Sequence, residues 1–351
     1  MDPIARFLAA CRREPVDRPP VWIMRQAGRY MASYRALRAR ASFLDICRRP
    51  ELSCEATMMA VDQLGVDAAI LFSDILVPLE AMGLEVHFPE GGPEIAPPVR
   101  TAEDVARLRV DGAADALGYV YEAVALIDRT LAQRPERLPL LGFAGAPWTL
   151  ATYAVEGSTG KNKHALRRMV YDAPDALHAL LDKLTRVVAD YLVRQVQAGA
   201  HAVQVFDTWG GLLSEAEWRA WSMPYTTRVL EAVRATGVPT IHYALDASHL
   251  VGALAELPCD VLSVDHREPL ASIRERTGGR FALQGNVEPG VMTASPRAIR
   301  DAVRACLADY GPRPGHIVNL GHGITPDATV EAARLFVDTA KELGARAGGA
   351  A

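Results

Sequence analysis

Short apolar runs recur along the chain and alternate with longer segments of helical periodicity. Eight runs lack the polar–apolar alternation of a half-exposed strand, which is typical of strands buried on both faces of a parallel sheet. These predicted strands cover residues 20–24, 67–74, 138–143, 201–207, 238–243, 260–265, 280–286 and 316–321. Between them, apolar residues recur every three or four positions, most clearly over residues 115–131, 176–197 and 296–309. Strand followed by helix, repeated about eight times, predicts an α/β fold of parallel βαβ units.

Polar or ionisable residues follow nearly all of the predicted strands, and their distribution bears on how the sheet is arranged. The strand-end residues are Asp74, Asp207 with Thr208, His242, Asp265, Asn286 and His322. An open sheet gathers its ligand groups at one switch point, whereas a (β/α)8 barrel brings every strand end to one rim. We therefore predict a single (β/α)8 TIM-type barrel with its active site at the strand C-terminal rim. We expect one domain over residues 1–351, a hairpin insertion at 83–99 and a frayed tail at 344–351.

Composition and charge narrow the function classes. The 351 residues are 50% hydrophobic and 23% charged with a net charge of −4, as in an ordinary globular protein, so we predict no nucleic-acid partner. The sequence shows no targeting segment and no apolar stretch of membrane-spanning length. We therefore expect no membrane partner and a cytoplasmic location. Five cysteines without a C-x-x-C pair predict free thiols, with no disulfide framework and no metal site.

Positive charge is concentrated in one segment. Residues 18–44 contain six arginines and no Asp or Glu. Arg25 and Arg29 flank Gly28 in RQAGR, and a glycine lets backbone N–H groups approach an anion closely. Because guanidinium groups bind carboxylates and phosphates through paired hydrogen bonds, this turn predicts an anion site. Three further arginines fit either that site or an exposed helix over residues 30–40, and their roles stay open: Arg35, Arg38 and Arg40.

Three other positions are candidates for chemistry. Asp74 ends an apolar strand, so it is either a partly desolvated functional carboxylate or a cap of the next helix. A glycine-rich turn before Pro147 predicts a helix start that can bind an anion, with Tyr153 facing the rim. His322 lies between two glycines just after a strand, where its ring can reach a ligand. A rim aspartate among arginines indicates a ligand that is anionic at its edges and cationic or N–H donating at its centre.

Six motifs resemble, in order, those of the uroporphyrinogen decarboxylase family. They are PPVWIMRQAGRYMASYR (19–35), FSDILVPLEAMG (72–83), GFAGAPWTLATYAVEG (142–157), QVFDTWGG (204–211), LQGNVEP (283–289) and NLGHGITPD (319–327). The resemblance spans nearly the whole chain and implies a (β/α)8 barrel that pairs as a homodimer and uses no metal or organic cofactor. The implied reaction removes CO2 from the four acetate side chains of uroporphyrinogen, leaving methyl groups and coproporphyrinogen.

Motif matching places the family's site on particular residues of this chain. The implied substrate-binding residues are Arg25, Gln26, Ala27, Gly28, Arg29, Asp74, Tyr153, Thr208 and His322. Many family members carry Ser at the position of Thr208, and the hydroxyl is retained. The implied catalytic residues are Arg25, Asp74, Tyr153 and His322. Asp74 is expected to stabilise a cationic pyrrole, while the proton donor stays open among the other three.

Two other functions remain as alternatives. The same barrel family includes cobalamin-linked methyltransferases with a zinc thiolate site, which carry H-x-C near the strand at 238–243 and a later cysteine. Here Tyr243 and Ala244 follow His242, and the later position lacks a cysteine, which disfavours a zinc site. A non-catalytic tetrapyrrole binder would keep the arginines but has no need of Asp74.

Overall fold

The computed structural model describes residues 1–89, 92–160 and 162–348. These residues form nine strands and sixteen α-helices. The strands are β1 (Ala69–Ile70), β2 (Glu85–His87), β3 (Glu94–Ala96), β4 (Leu140–Gly145), β5 (Ala202–Asp207), β6 (Thr240–Ala244), β7 (Val261–Val264), β8 (Ala282–Val287) and β9 (His316–Leu320). The helices are α1 (Pro3–Cys11), α2 (Ala32–Arg40), α3 (Phe43–Arg48), α4 (Pro50–Leu64), α5 (Val77–Ala81), α6 (Ala102–Arg107), α7 (Gly118–Ala132), α8 (Pro147–Glu156), α9 (His164–Asp172), α10 (Pro174–Gln197), α11 (Glu215–Trp221), α12 (Met223–Arg234), α13 (Val251–Leu254), α14 (Leu270–Arg276), α15 (Pro296–Tyr310) and α16 (Val330–Gly348).

Seven strands form one parallel sheet in the order β1-β4-β5-β6-β7-β8-β9. Helices connect successive strands, and nearly every strand residue is buried, as the absence of polar–apolar alternation predicted. Six of the eight predicted strands correspond to β4 through β9. The prediction over residues 67–74 yields only β1, because the chain leaves the sheet after the Leu71 N–H has donated to Leu141 O at 3.0 Å. All seven strands end on one edge of the sheet, where the site is built.

The predicted strand at residues 20–24 is an extended segment between the two ends of the sheet. Val21 forms an isolated parallel bridge with Val318 of β9, and the Val318 N–H donates to Pro20 O at 2.9 Å. On the other side, the Asp67 N–H donates to Val21 O at 2.7 Å, two residues before β1. The segment therefore bonds to β9 on one side and to the residues just before β1 on the other.

A buried polar network fixes the same segment from inside. The Trp22 indole N–H donates to Gln284 Oε1 at 2.9 Å, and Gln284 Nε2 donates to Gln204 Oε1 at 3.0 Å and to Ser263 Oγ at 2.8 Å. These side chains come from β5, β7, β8 and the 20–24 segment, and all are buried. Buried amides and indoles require such partners, so the network holds these strands in register.

An ion pair anchors the N-terminal end of the segment. Arg18 donates two hydrogen bonds to the Asp67 carboxylate, at 2.6 and 2.8 Å, and Asp67 also accepts the Val21 N–H at 2.9 Å. Although burial acts to raise the pKa of Asp67, the Arg18 hydrogen bond and the Lys341 charge hold it below its usual value. Arg18 therefore belongs to this anchor rather than to the turn at Arg25, where the sequence predicts an anion site.

The helices and insertions agree with the sequence in most places. The three clearest predicted helices are confirmed as α7, α10 and α15. The hairpin is confirmed as the antiparallel pair β2–β3, although Gly91 of its predicted turn lies outside the described residues. The frayed tail is wrong for residues 344–348, which continue α16, and residues 349–351 lie outside the described part. No helix among the described residues is long and apolar enough to cross a membrane.

Candidate active site

Arg25 stands where the 20–24 segment leaves the sheet. The backbone on its N-terminal side is tethered to β9 and to the loop after it, since the Met24 N–H donates to Asn319 Oδ1 at 2.9 Å and Met24 O accepts from Ile324 at 3.0 Å. Arg25 has a φ of 62°, a conformation that residues with a side chain rarely adopt. Its side chain crosses Gly323, where a Cβ would overlap the arginine methylenes. The tertiary structure therefore needs a glycine there to admit Arg25 beside the histidine loop.

The rest of RQAGR is placed differently from the sequence prediction. The Gln26 side chain is buried and donates to Ala68 O at 3.4 Å, so it does not line the cleft. Ala27 and Gly28 are half-buried, and Arg29 is exposed. A Cβ at Gly28 would make ordinary 3.5 Å contacts, and its φ is not left-handed. The fold of this turn therefore does not itself require a glycine, because Arg25 carries the unusual backbone angle, and the close approach of an anion to Gly28 stays a prediction.

The three arginines of α2 are engaged within the protein. Arg35 Nη1 donates to the carbonyls of Arg29 and Tyr30 at 2.8 and 3.0 Å. Arg38 donates to a carbonyl just after α2 at 3.2 Å, and Arg40 pairs with a carboxylate of α4. Arg35 therefore holds the turn that presents Arg29, whereas Arg38 and Arg40 support the surface helix.

Asp74 is positioned by the segment that leaves the sheet after β1. The Phe72 N–H donates to Thr57 Oγ1 at 3.0 Å, which ties this segment to α4. Asp74 Oδ1 accepts the Leu76 N–H at 2.8 Å in a turn that precedes α5. The N-cap of α5 is Leu76, so the alternative that Asp74 caps the helix is wrong.

The electrostatic surroundings of Asp74 suit a functional carboxylate. Part of the side chain remains accessible from the cleft, but protein atoms surround the carboxylate densely. Burial raises the pKa of Asp74 to about 6, against the opposing effects of the Leu76 hydrogen bond and the Arg25 charge. At neutral pH the group is therefore mainly ionised but poorly hydrated, so it interacts strongly with a neighbouring positive charge.

Tyr153 reaches the same rim from α8. This helix begins with Pro147 at its first position and ends at Gly157, whose φ of 76° favours glycine. Burial and the nearby Asp74 charge raise the pKa of Tyr153, while the Arg25 charge opposes them. Tyr153, Asp74 and Arg25 therefore lie within electrostatic reach of one another.

Thr208 and Trp209 form the neighbouring part of the rim. Thr208 directly follows β5 and is half-buried. The Trp209 ring meets the Tyr153 ring edge-on at 5.9 Å, and the Trp209 N–H donates to Thr149 Oγ1 at 3.1 Å. The indole thus packs against one side of Tyr153, and Thr208 is its neighbour in the chain.

His322 completes the group from the loop after β9. Its Nδ1 lies 2.8 Å from the hydroxyl of Tyr243, and the two rings are nearly parallel at 10°. Burial and the positive charge of Arg25 lower the pKa of His322 to about 4. In the free protein at neutral pH the imidazole is therefore uncharged.

The other strand-end residues support the structure. Asp207 is fully buried and accepts hydrogen bonds from two hydroxyls and an indole, at 2.9, 2.7 and 3.3 Å. Asp265 accepts from two backbone N–H groups, and Asn286 donates to two backbone carbonyls. His242 lies within β6 instead of at its end and is 1% exposed. Asp207, Asp265 and Asn286 thus hold parts of the fold together through hydrogen bonds, whereas the two ring nitrogens of the buried His242 have no hydrogen-bond partner among the described residues.

The side chains that could bind a metal ion are spread over the protein rather than gathered at one place in the described residues. Within residues 1–89, 92–160 and 162–348, no cluster of three or more His, Cys, Asp or Glu is placed to hold a metal ion. The five cysteines are free thiols, and burial raises the pKa of both Cys259 and Cys306 to about 12. Because zinc binds thiolates, such protonated thiols are poor ligands.

Comparison with known proteins identifies the family of this chain. Residues 2–343 match the family described as uroporphyrinogen decarboxylase. The chain belongs to the uroporphyrinogen decarboxylase family. The protein named uroporphyrinogen decarboxylase from Magnetococcus marinus is 46% identical over 346 residues, covering 97% of this chain and 96% of the relative. The protein of that name from Chloroherpeton thalassium is 44% identical over 342 residues, covering 96% of each.

Solved structures of other proteins have a similar fold. A methyltransferase from Methanosarcina mazei superposes with a TM-score of 0.82 at 21% identity, covering 98% of this chain and 99% of that protein. A B12-independent methionine synthase from Shewanella superposes with a TM-score of 0.56 at 11% identity, covering 84% of this chain and 87% of that one. At such identities the likeness concerns the fold.

Two residues of the site escaped the sequence analysis. Trp209 lies one position beyond the predicted Thr208, and Tyr243 lies within β6 rather than after it. The available signal for Tyr243 is strand register, because it pairs with Phe206 of β5, the residue before the last of that strand. Register between parallel strands is a tertiary property, so the run of apolar residues alone did not reveal it.

Proposed function

We propose that this protein decarboxylates the four acetate side chains of uroporphyrinogen to methyl groups, forming coproporphyrinogen and CO2 in tetrapyrrole biosynthesis. The observation that carries this proposal is the placement of Asp74 within electrostatic reach of Arg25 and Tyr153 in a chain of this family, with the Arg25 side chain against the His322 loop. The substrate has carboxylates at its edge and four pyrrole N–H donors at its centre. A half-buried carboxylate near cationic and hydroxyl groups complements that arrangement.

The arginines bind the carboxylates at the edge of the substrate. Arg25 and Arg29 carry guanidinium groups suited to paired hydrogen bonds with carboxylates, each charge-assisted bond contributing about 1.5–3 kcal/mol. The hydroxyls of Thr208 and Tyr153 donate to further substrate oxygens. The half-buried backbone at Ala27 and Gly28 lies between the two arginines.

The chemistry requires a place for the electrons of the C–C bond that breaks. A proton is first added to the pyrrole carbon beside nitrogen, which makes the ring an iminium-like cation. The bond to the carboxylate then breaks, CO2 leaves, and its electron pair forms an exocyclic C=C bond that neutralises the ring. A second proton adds to this methylene carbon, and the first is lost from the ring carbon, restoring the pyrrole. Each acetate thus consumes one proton net, and the pyrrole itself serves as the electron sink.

Asp74 stabilises the cationic ring in these steps. Its ionised carboxylate is preorganised by the Leu76 N–H and does not need to reorient as the charge develops. At an effective dielectric constant near 20, a unit charge about 4 Å away contributes about 4 kcal/mol. This interaction is strongest when the ring is cationic, so it lowers the barrier more than it tightens substrate binding.

The proton donor is one of three groups. A guanidinium such as Arg25 is a very weak acid, with a pKa above 12. Burial raises the pKa of Tyr153 and lowers that of His322, so neither is a strong donor in the free protein. A bound carboxylate raises the pKa of a neighbouring imidazole. Of the three groups, His322 is the one whose pKa is raised toward neutral pH when the substrate binds.

We also propose that the sheet closes into a single-domain (β/α)8 barrel, with the 20–24 segment as the eighth strand. The bonds from this segment to β9 and to Asp67 support closure. Family membership supports a homodimer, a small-molecule substrate as the ligand and a cytoplasmic location. Sedimentation of the purified protein tests the dimer, and a monomer at assay concentration would contradict it.

An anaerobic assay with uroporphyrinogen tests the function. We expect CO2 release and stepwise conversion to coproporphyrinogen. Chromatography of the oxidised porphyrins measures the conversion. Tight binding without CO2 release would indicate a tetrapyrrole binder. Stoichiometric zinc together with methyl transfer and no CO2 would indicate the methyltransferase alternative.

A further inference from the structure

The hydroxyl of Tyr243 lies between two partners. Its Oη is 3.1 Å from the carbonyl oxygen of Gly321 and 2.8 Å from Nδ1 of His322. A phenol has one proton to donate, and a carbonyl oxygen can only accept. Both contacts are hydrogen bonds at once only if Tyr243 donates to Gly321 and accepts from His322. His322 must then carry a hydrogen on Nδ1.

This assignment determines what His322 presents to the cleft. A neutral imidazole carries one N–H, so a proton on Nδ1 leaves a lone pair on Nε2. Tyr243 is fully buried, and burial raises the pKa of its phenol, so it keeps the proton that it donates to Gly321. The Nδ1 side of His322 is therefore held by Tyr243, while Nε2 is free to interact with a ligand.

We propose that Tyr243 is a positioning residue that holds His322 in the Nδ1-protonated tautomer, so that Nε2 takes up a proton when a substrate carboxylate binds. The identity of that carboxylate rests on the proposed function, whereas the tautomer is a property of the free protein. Protonation at Nε2 leaves the Nδ1–H hydrogen bond to Tyr243 unchanged. Neither side chain has to rotate when the cation forms.

The charges around His322 explain why the free imidazole is neutral. Burial lowers the pKa of His322 to about 4, with Arg25, Arg267 and His266 acting in the same direction and Asp265 in the opposite one. A substrate carboxylate adds negative charge on the Nε2 side and raises this pKa by about 1–3 units. Substrate binding near pH 6.5 is therefore coupled to proton uptake at this residue.

Nitrogen NMR of the free protein tests the tautomer directly. In protein labelled with 15N-histidine, two-bond couplings to the ring protons distinguish the two neutral tautomers, and His322→Gln identifies the signals. The wild type is expected to show His322 protonated on Nδ1 at pH 7. Tyr243→Phe keeps the ring and removes the acceptor, and the Nδ1–H signature is expected to disappear.

The chain offers a matched control for this substitution. Tyr310 is also buried, its hydroxyl donates to Pro314 O at 2.8 Å, and its ring stacks on His316 at 4.4 Å. Tyr310→Phe removes a comparable hydroxyl beside a different histidine, so the His322 signals should stay unchanged. Melting temperatures of both variants show that each remains folded.

Binding measurements test the coupling to substrate. Calorimetry with anaerobic coproporphyrinogen, in two buffers of different ionisation enthalpy at pH 6.5, measures the protons taken up. Tyr243→Phe is expected to take up fewer protons than the wild type, and its KM for uroporphyrinogen should rise about tenfold while kcat changes less than about threefold.

Three results would overturn the proposal. They are a wild-type His322 protonated on Nε2, an unchanged tautomer in Tyr243→Phe, and equal proton uptake by the two proteins. Absence of CO2 release by the wild type would count instead against the proposed function, because the tautomer is measured without substrate.

Discussion

Asp74→Asn is expected to lower activity and raise stability at the same time. Asn keeps almost the same volume and an oxygen that can accept the Leu76 N–H, but it removes the negative charge. If the charge stabilises a cationic pyrrole, its loss acts mainly in the transition state. We expect kcat to fall by about 10²–10³, with a smaller change in KM.

The stability change follows from the raised pKa of this carboxyl. The folded pKa of about 6 lies about two units above the ordinary 3.8, which corresponds to an upper limit of about 3 kcal/mol of folding free energy lost when Asp74 ionises. Partial exposure of the side chain reduces this cost, and we expect about 1–2 kcal/mol. Because the folded pKa is raised, the cost is absent below pH 4 and complete above pH 6. Asp74→Asn should therefore raise the melting temperature by about 1–3 °C at pH 8, and less as the pH falls toward 4.

Asp67→Asn is the matched control, since the same substitution is made at the opposite end of the strands. Arg18 and Lys341 hold the pKa of Asp67 in the folded protein below its usual value despite burial. The ionised carboxylate therefore stabilises the protein above pH 4, and this contribution is lost as the pH falls through the folded pKa. Removing one partner of this buried pair should cost about 3 kcal/mol at pH 8 and leave the kcat of the folded protein nearly unchanged. The measurements are steady-state kinetics beside thermal unfolding at several pH values. A folded Asp74→Asn protein with near-wild-type kcat would refute the role of the charge, and a lower melting temperature at pH 8 would refute its electrostatic cost.

The remaining predictions concern the pH profile, the arginines and metals. The acid limb of kcat/KM should show an apparent pKa of about 6 from Asp74, and an unchanged limb in Asp74→Asn would assign it to another group. Arg29→Ala should raise KM by about tenfold or more with little effect on kcat, because a contact at the rim binds the ground state and the transition state equally. Arg38→Ala should change neither KM nor kcat. Equal loss of activity in both variants would show that the whole helix forms the site. Exhaustive chelation should leave activity intact, and loss of turnover with release of stoichiometric zinc would instead favour the methyltransferase reading.

The sequence by itself determined the class of fold, and its family motifs are the basis of the proposed chemistry. Uninterrupted apolar runs predicted six strands of the parallel sheet, because a strand covered on both faces carries apolar residues at successive positions. The family motifs and the concentration of arginines singled out Arg25, Asp74, Tyr153 and His322, whose roles depend on residue type as much as on position. The short strand β1 and the helical residues 344–348 were misjudged, since local pattern does not mark where pairing or packing stops.

Only the tertiary structure decided which of these residues face one another and in what state. Asp207 and Asp74 both follow apolar strands, yet one carboxylate is enclosed by hydroxyls and an indole while the other keeps access to the cleft. Arg18 and Arg25 belong to one arginine-rich segment, but the extended segment at residues 20–24 separates them, so that Arg18 forms a buried ion pair while Arg25 lies beside the loop after β9. Tyr243 meets His322 across strands far apart in the chain. Burial, charge separation and hydrogen-bond partners arise from such distant contacts, and for that reason the sequence pattern could not contain them.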